Sequence, residues 1–78
     1  GACMQYSNMK DTEFYGADLR GADLRNSSLN GVILDMANLS LANLSSSELI
    51  DIKANNLQAC PLTLPKDWIC HDNSLIKN

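Results

Sequence analysis

Large apolar residues recur at every fifth position from Met4 to Leu49 of this 78-residue chain. They are Met4, Met9, Phe14, Leu19, Leu24, Leu29, Leu34, Leu39, Leu44 and Leu49. Two positions before them stand Ala2, Ser7, Thr12, Ala17, Ala22, Ser27, Val32, Ala37, Ala42 and Ser47, all small or β-branched. An α-helix turns about 100° per residue, so a step of five rotates the side chain by roughly 500°, about 140° net. Leucines placed that way spiral around a helix and form no stripe. A straight strand fails as well, because its side chains alternate and an odd step sends successive leucines to opposite faces. The backbone must change direction once per unit if all the leucines are to share one interior. A regularly turning coil does this. The residue two before each leucine then lies on the same side and must be small, because the interior is narrow. Stacked at roughly 4.8 Å, such coils bury both rows and pair the backbone polar groups.

The units Ala17-Asp18-Leu19-Arg20-Gly21, Ala22-Asp23-Leu24-Arg25-Asn26, Ala37-Asn38-Leu39-Ser40-Leu41 and Ala42-Asn43-Leu44-Ser45-Ser46 resemble those of the pentapeptide-repeat proteins. The resemblance implies an all-β chain: a right-handed quadrilateral parallel β-helix, the pentapeptide-repeat solenoid, with four units per coil. On that scheme Met4, Leu24 and Leu44 stack on one side, and Met9, Leu29 and Leu49 on the next. Phe14 and Leu34 take the third side, Leu19 and Leu39 the fourth. Gly16, Gly21 and Gly31 fall at or beside corners, where positive φ carries no steric cost for glycine. Met4, Met9 and Phe14 need more room than leucine, so a slight distortion is expected over residues 2–16. The repeat is entered at Ala2 with no visible cap, a hint of a longer parent chain or of a first coil that meets a partner, by dimerisation or parent-chain contact.

After Leu49 the pattern changes. With the phase kept, the inward pairs become Ile52/Ala54, Leu57/Ala59 and Leu62/Leu64. With the phase slipped, Ile52, Leu57 and Leu62 pair with Ile50, Asn55 and Cys60, which buries Asn55 at a cost. The kept phase is favoured, with a bulged coil allowed. The repeat domain is assigned to residues 1–60 and a C-terminal cap or hairpin to 61–78. Pro61 and Pro65 resist further ladder pairing. Leu64-Pro65-Lys66-Asp67-Trp68 reads as a lid, with Trp68 over the open core. Ile69-Cys70-His71 and Ser74-Leu75-Ile76, divided by Asp72-Asn73, suit a hairpin.

Charge and chemistry narrow the function. Residues 2–51 hold seven carboxylates against Lys10, Arg20 and Arg25, a balance of −4, and the rest of the chain contributes +1. There is no basic footprint for direct nucleic-acid binding, and no apolar run approaches the roughly 20 residues of a membrane span. Three cysteines, Cys3, Cys60 and Cys70, are too few and too oddly numbered for a disulfide framework, so free thiols in a reducing cytosol are expected. Asn26-Ser27-Ser28, Asn38-Leu39-Ser40 and Asn43-Leu44-Ser45 match the glycosylation pattern only because the repeat favours Asn and Ser. Cys70, His71 and Asp72 are neighbours that cannot face one another as a catalytic set. Cys60, Cys70 and His71 lack the usual zinc spacing. No catalytic, metal or cofactor site is assigned.

The outward positions are left. Tyr6 and Tyr15 point out, where tyrosine can anchor a protein partner. Arg20 and Arg25 also point out, as a small basic spot or as weak surface pairs with Asp18 and Asp23. The Asx residues Asp18, Asp23, Asn38 and Asn43 read as turn-stabilising groups rather than as an acidic ladder imitating DNA. The functional expectation is a non-catalytic protein–protein scaffold. By resemblance it is the target-recognition part of a larger bacterial protein, such as a secreted effector working in the host cytosol. The alternatives are a structural spacer and a topoisomerase-binding DNA mimic like the gyrase-protecting members of the family.

Overall fold

The computed structural model describes residues 3–77. Among them there is no helix, and the two strands that form lie near the C-terminus. The rest is joined by single-residue parallel bridges. Eight of these link positions twenty apart: Cys3 to Asp23, Asn8 to Ser28, Glu13 to Ile33, Asp18 to Asn38, Asp23 to Asn43, Ser28 to Glu48, Ile33 to Lys53, and Asn43 to Thr63. The chain therefore returns to the same place every twenty residues, in four five-residue sides. Hydrogen bonds between windings satisfy the backbone, as burial demands. Met4, Leu24 and Leu29 donate their amides to the carbonyls of Asp23, Asn43 and Glu48 at 2.8, 2.8 and 2.9 Å.

A turn ends each side. In seven of these turns the amide of the small residue donates to the carbonyl of the preceding large one, as from Ala22 to Leu19 at 3.1 Å and from Ala42 to Leu39 at 2.9 Å. The corner residue, third in each turn, has positive φ at every corner from Tyr6 to Asn56, between 55° and 75°. Positive φ at the third turn residue is the requirement of a type II turn. Asx side chains hold the preceding position. The Oδ1 atoms of Asn8, Asp18, Asp23, Asn38 and Asn43 accept the amides of Lys10, Arg20, Arg25, Ser40 and Ser45. The turn-stabilising role expected for these residues is what they perform.

The core is the column that the five-residue period describes. Leu19, Leu24, Leu29, Leu34, Leu39, Leu44 and Leu49 are buried, with Ala22, Val32, Ala37 and Ala42 between them. Met4, Met9 and Phe14 pack against this column but are only half-buried. The distortion expected around them is not found, since the bridges at Cys3, Asn8 and Glu13 keep the twenty-residue register. Ala2 lies outside the described residues.

The irregularity comes later. Asn38 bridges Ala59, one residue further on than the register predicts, and Asn43 returns to register with Thr63. The step from Lys53 to Ala59 is thus one residue longer than the repeat and the step from Ala59 to Thr63 one shorter, a local bulge at 58–59 that the next side offsets. The phase is kept through it. Ala54 and Leu57 are buried and Ile52 and Ala59 half-buried, while Ile50, Asn55 and Cys60 are exposed. The expected Leu62/Leu64 pair is half corrected. Leu64 is half-buried, but Leu62 is 66% exposed. Both the Leu62 and the Thr63 amides reach the single carbonyl of Ala42, so the chain is pinched here and Leu62 is turned outward.

The C-terminal segment is an antiparallel hairpin of β1 (Trp68–His71) and β2 (Ser74–Lys77). Asp72 and Asn73 turn it with φ of 50° and 59°, the paired positive values of a type I′ turn. The hairpin packs on the last winding. Leu57 donates to the Asn73 carbonyl at 2.8 Å, and Leu75 donates to the Ala54 carbonyl at 3.0 Å. Trp68 is half-buried and packs against the core, but the deepest side chain of the hairpin is Leu75.

The cysteine expectation is overturned. Cys60 and Cys70 are joined in a disulfide across ten residues, and Cys3 alone is free and exposed. The pair was hidden in the sequence because the bulge and the hairpin bring the two residues together. Disulfides persist in oxidising compartments, so the cysteine count no longer argues for a cytosolic chain.

Candidate interaction surface

Each side presents outward the residue before the large apolar one, the residue after it, and the corner residue. Strand alternation fixes this, because the neighbours of an inward side chain must face out. The surface is therefore a lattice with a fixed spacing, carried on a hydrogen-bonded frame.

On this lattice Asp18 and Arg20 flank the inward Leu19, and Asp23 and Arg25 flank Leu24. Spaced two apart, each acid and base share an outward face. Arg20 grips Asp18 through Nε and Nη2, both at 2.8 Å, and Arg25 grips Asp23 at 2.8 and 2.7 Å. Two parallel bonds between planar groups are the strongest form of this pairing. The guanidinium hydrogen bond is the main reason each carboxyl is held below the ordinary carboxylate range, helped by the Arg backbone amide. Each arginine is correspondingly raised by its carboxylate. The two arginines therefore form a pair of self-neutralised dipoles on adjacent sides and do not make a free basic spot.

Tyr6 is 77% and Tyr15 65% exposed, so neither ring lies flat on the surface. Tyr6 stands at a corner next to Arg25, its amide donating to the Arg25 carbonyl at 3.0 Å. Tyr15 belongs to the side two units further along, across the winding from Tyr6. Of the four residues singled out from sequence, Tyr6 and Arg25 are thus brought together, Arg20 lies on the adjoining side, and Tyr15 is apart. Sequence reasoning overlooked the exposed apolar corner Leu41 and the exposed Ile50. Their outward position follows from the five-residue phase, which is the signal that could have found them.

An open groove of about 690 Å³ runs beside Leu41, lined by Met4, Leu19 and Ala22 as well as by the Asp18–Arg20 pair. His71 Nε2 lies 3.2 Å from an Asp72 carboxylate oxygen, and both side chains are largely exposed. Among the described residues no three His, Cys, Asp or Glu side chains are gathered as a metal would require. Among the described residues no helix is long and apolar enough to cross a membrane.

A family model described as pentapeptide repeats (8 copies) matches residues 1–31. The parallel register continues past the matched residues to Thr63. No curated protein matches the chain.

Proposed function

With residues 1–31 identified as pentapeptide repeats, we propose that the chain is a non-catalytic scaffold that binds another protein through its outer walls. Repeats of this kind commonly serve as interaction or structural modules. We further read the twenty-residue windings as those of a right-handed quadrilateral β-helix, a reading supported by the four turns per winding and the parallel bridges.

One observation carries the binding reading. Large side chains that could have been buried or replaced by polar ones stand exposed on a rigid frame: Tyr6, Tyr15, Leu41 and Ile50. Rigid presentation lowers the entropy lost on binding, and tyrosine is enriched at interfaces. The DNA-mimic alternative is weaker, because the carboxylates of Asp18 and Asp23 are each occupied by an arginine. By the resemblance of its repeats, we read the scaffold as the recognition part of a larger bacterial protein, a secreted effector included.

The test is retention of proteins from lysate by the immobilised chain, compared with two variants of it. One variant carries Tyr6→Ala and Tyr15→Ala, the other Arg20→Glu and Arg25→Glu. A protein held by the parent chain and lost by one variant supports a binding face. Equal retention by all three assigns the windings to the spacer role.

A further inference from the structure

We propose that the Cys60–Cys70 bridge is a redox latch that holds the C-terminal hairpin closed over the end of the core. The hairpin has little else to hold it. Each strand has four residues, and a two-stranded hairpin of that size is marginal on its own in water. Its attachments are the Leu57–Asn73 and Leu75–Ala54 backbone bonds, the burial of Leu75 and the partial burial of Trp68. The disulfide adds a covalent tie from the bulged last winding to the middle of β1. The column above does not depend on it, since Leu24, Leu29, Leu34 and Leu39 are buried between windings joined by their own bonds.

Access suits a switch. Cys60 is exposed and Cys70 half-buried, so the Cys60 sulfur can meet a reductant without prior unfolding. The reductant is a dithiol. One of its thiolates attacks the Cys60 sulfur and forms a mixed disulfide, and the displaced Cys70 thiolate takes up a proton. The second thiol of the reductant then attacks its own bound sulfur and releases Cys60. Two electrons and two protons have passed to the chain, which ends with two thiols, while the reductant ends as a ring disulfide. Opening the ten-residue loop restores chain entropy to the undocked state, which at the chain-entropy limit favours undocking about a hundredfold. Undocking bares Ala54, Leu57 and Leu75, an apolar end that the oxidised chain hides. A chain that moved from an oxidising to a reducing compartment would expose that end without losing its column.

The experiment is amide hydrogen exchange by NMR on the full chain, before and after dithiothreitol, repeated on the Cys60→Ser/Cys70→Ser variant. Alkylation counts the thiols, with one expected before reduction and three after. Reduction is expected to speed exchange at Leu57 and Leu75 at least tenfold and to change Leu24 and Leu29 less than twofold. Unchanged rates at Leu57 and Leu75 overturn the latch, and so do three alkylated cysteines before reduction. A uniform acceleration that includes Leu24 overturns it too, because the bridge would then support the whole chain. Chemical reduction of the parent chain decides the question even if the double variant fails to fold.

Discussion

Gly21 and Leu41 occupy the same corner of successive windings with nearly the same φ, 66° and 62°, although one has no side chain and the other a large one. The winding imposes the left-handed conformation and the residue submits to it. For an L-residue that conformation costs roughly 1–2 kcal/mol, and Leu41 recovers little by burial, being 66% exposed. Leu41→Gly should therefore stabilise the chain despite glycine's greater freedom when unfolded. The expected gain is roughly 0.5–1 kcal/mol, read as a rise of a few degrees in the thermal midpoint. A fall in the midpoint would mean that Leu41 makes contacts the exposed corner does not suggest.

The bulge at 58–59 predicts an unequal response from leucines that look alike in sequence. Leu39 is fully buried, so Leu39→Ala should cost about 2–5 kcal/mol, enough to unfold much of so small a chain. Leu62→Ala should change stability by no more than about 0.5 kcal/mol, because the side chain is turned outward. Leu64→Ala should fall between them. Urea unfolding of the three variants checks the order, and a large loss for Leu62→Ala would place that side chain inside after all.

What the sequence made legible follows from strictness of pattern. The column from Leu19 to Leu49 could be named residue by residue, because a five-residue period leaves the backbone few ways to share one interior. The Asp18–Arg20 and Asp23–Arg25 pairs could be named too, since a spacing of two puts both groups on one face. The cap was legible only in outline. Asp72-Asn73 signals a turn locally, but the burial of Leu75 and the Cys60–Cys70 bridge depend on where the hairpin lands. That is set by the local register shift at Ala59, and no local propensity marks it. The binding face is less legible still, because exposure tells where a partner could touch and not which partner.

The acid–base pairs carry a pH signature. Asp18 and Asp23 are held below the ordinary carboxylate range in the folded chain, chiefly by the arginine hydrogen bonds. A depressed folded value means that the stabilisation is present above the unfolded value, near pH 4, and is lost as pH falls through the folded one. Carboxyl-carbon NMR titration should show Asp18 and Asp23 protonating below the ordinary carboxylate range. Arg20→Ala should return Asp18 toward the ordinary range and leave Asp23 unmoved. Added salt should shrink the effect, since both pairs face solvent. Equal titration of Asp18 in the parent and the variant would remove the guanidinium as the cause.

Ser27 and Ser47 sit in the same position of successive windings, yet their hydroxyls do different jobs. The Ser27 hydroxyl donates to the Met4 carbonyl at 2.7 Å and accepts the Ser7 amide at 3.2 Å, so it stands between the two ends of the first turn. The Ser47 hydroxyl donates to the Leu44 carbonyl at 2.6 Å, but that carbonyl also receives the Ser47 amide directly at 3.2 Å. Alanine is the commonest residue in this position of the repeat, and by pattern alone either substitution should be harmless. The bonding says otherwise for one of them. Ser27→Ala leaves a part-buried amide and carbonyl without the group that joined them, which costs about 1–2 kcal/mol. Ser47→Ala keeps its turn bond and should be close to neutral. Paired chemical denaturation of the two variants measures the difference. If both are neutral, the first turn closes directly from Ser7 to Met4 once the hydroxyl is gone, and the serine is only a spacer within it.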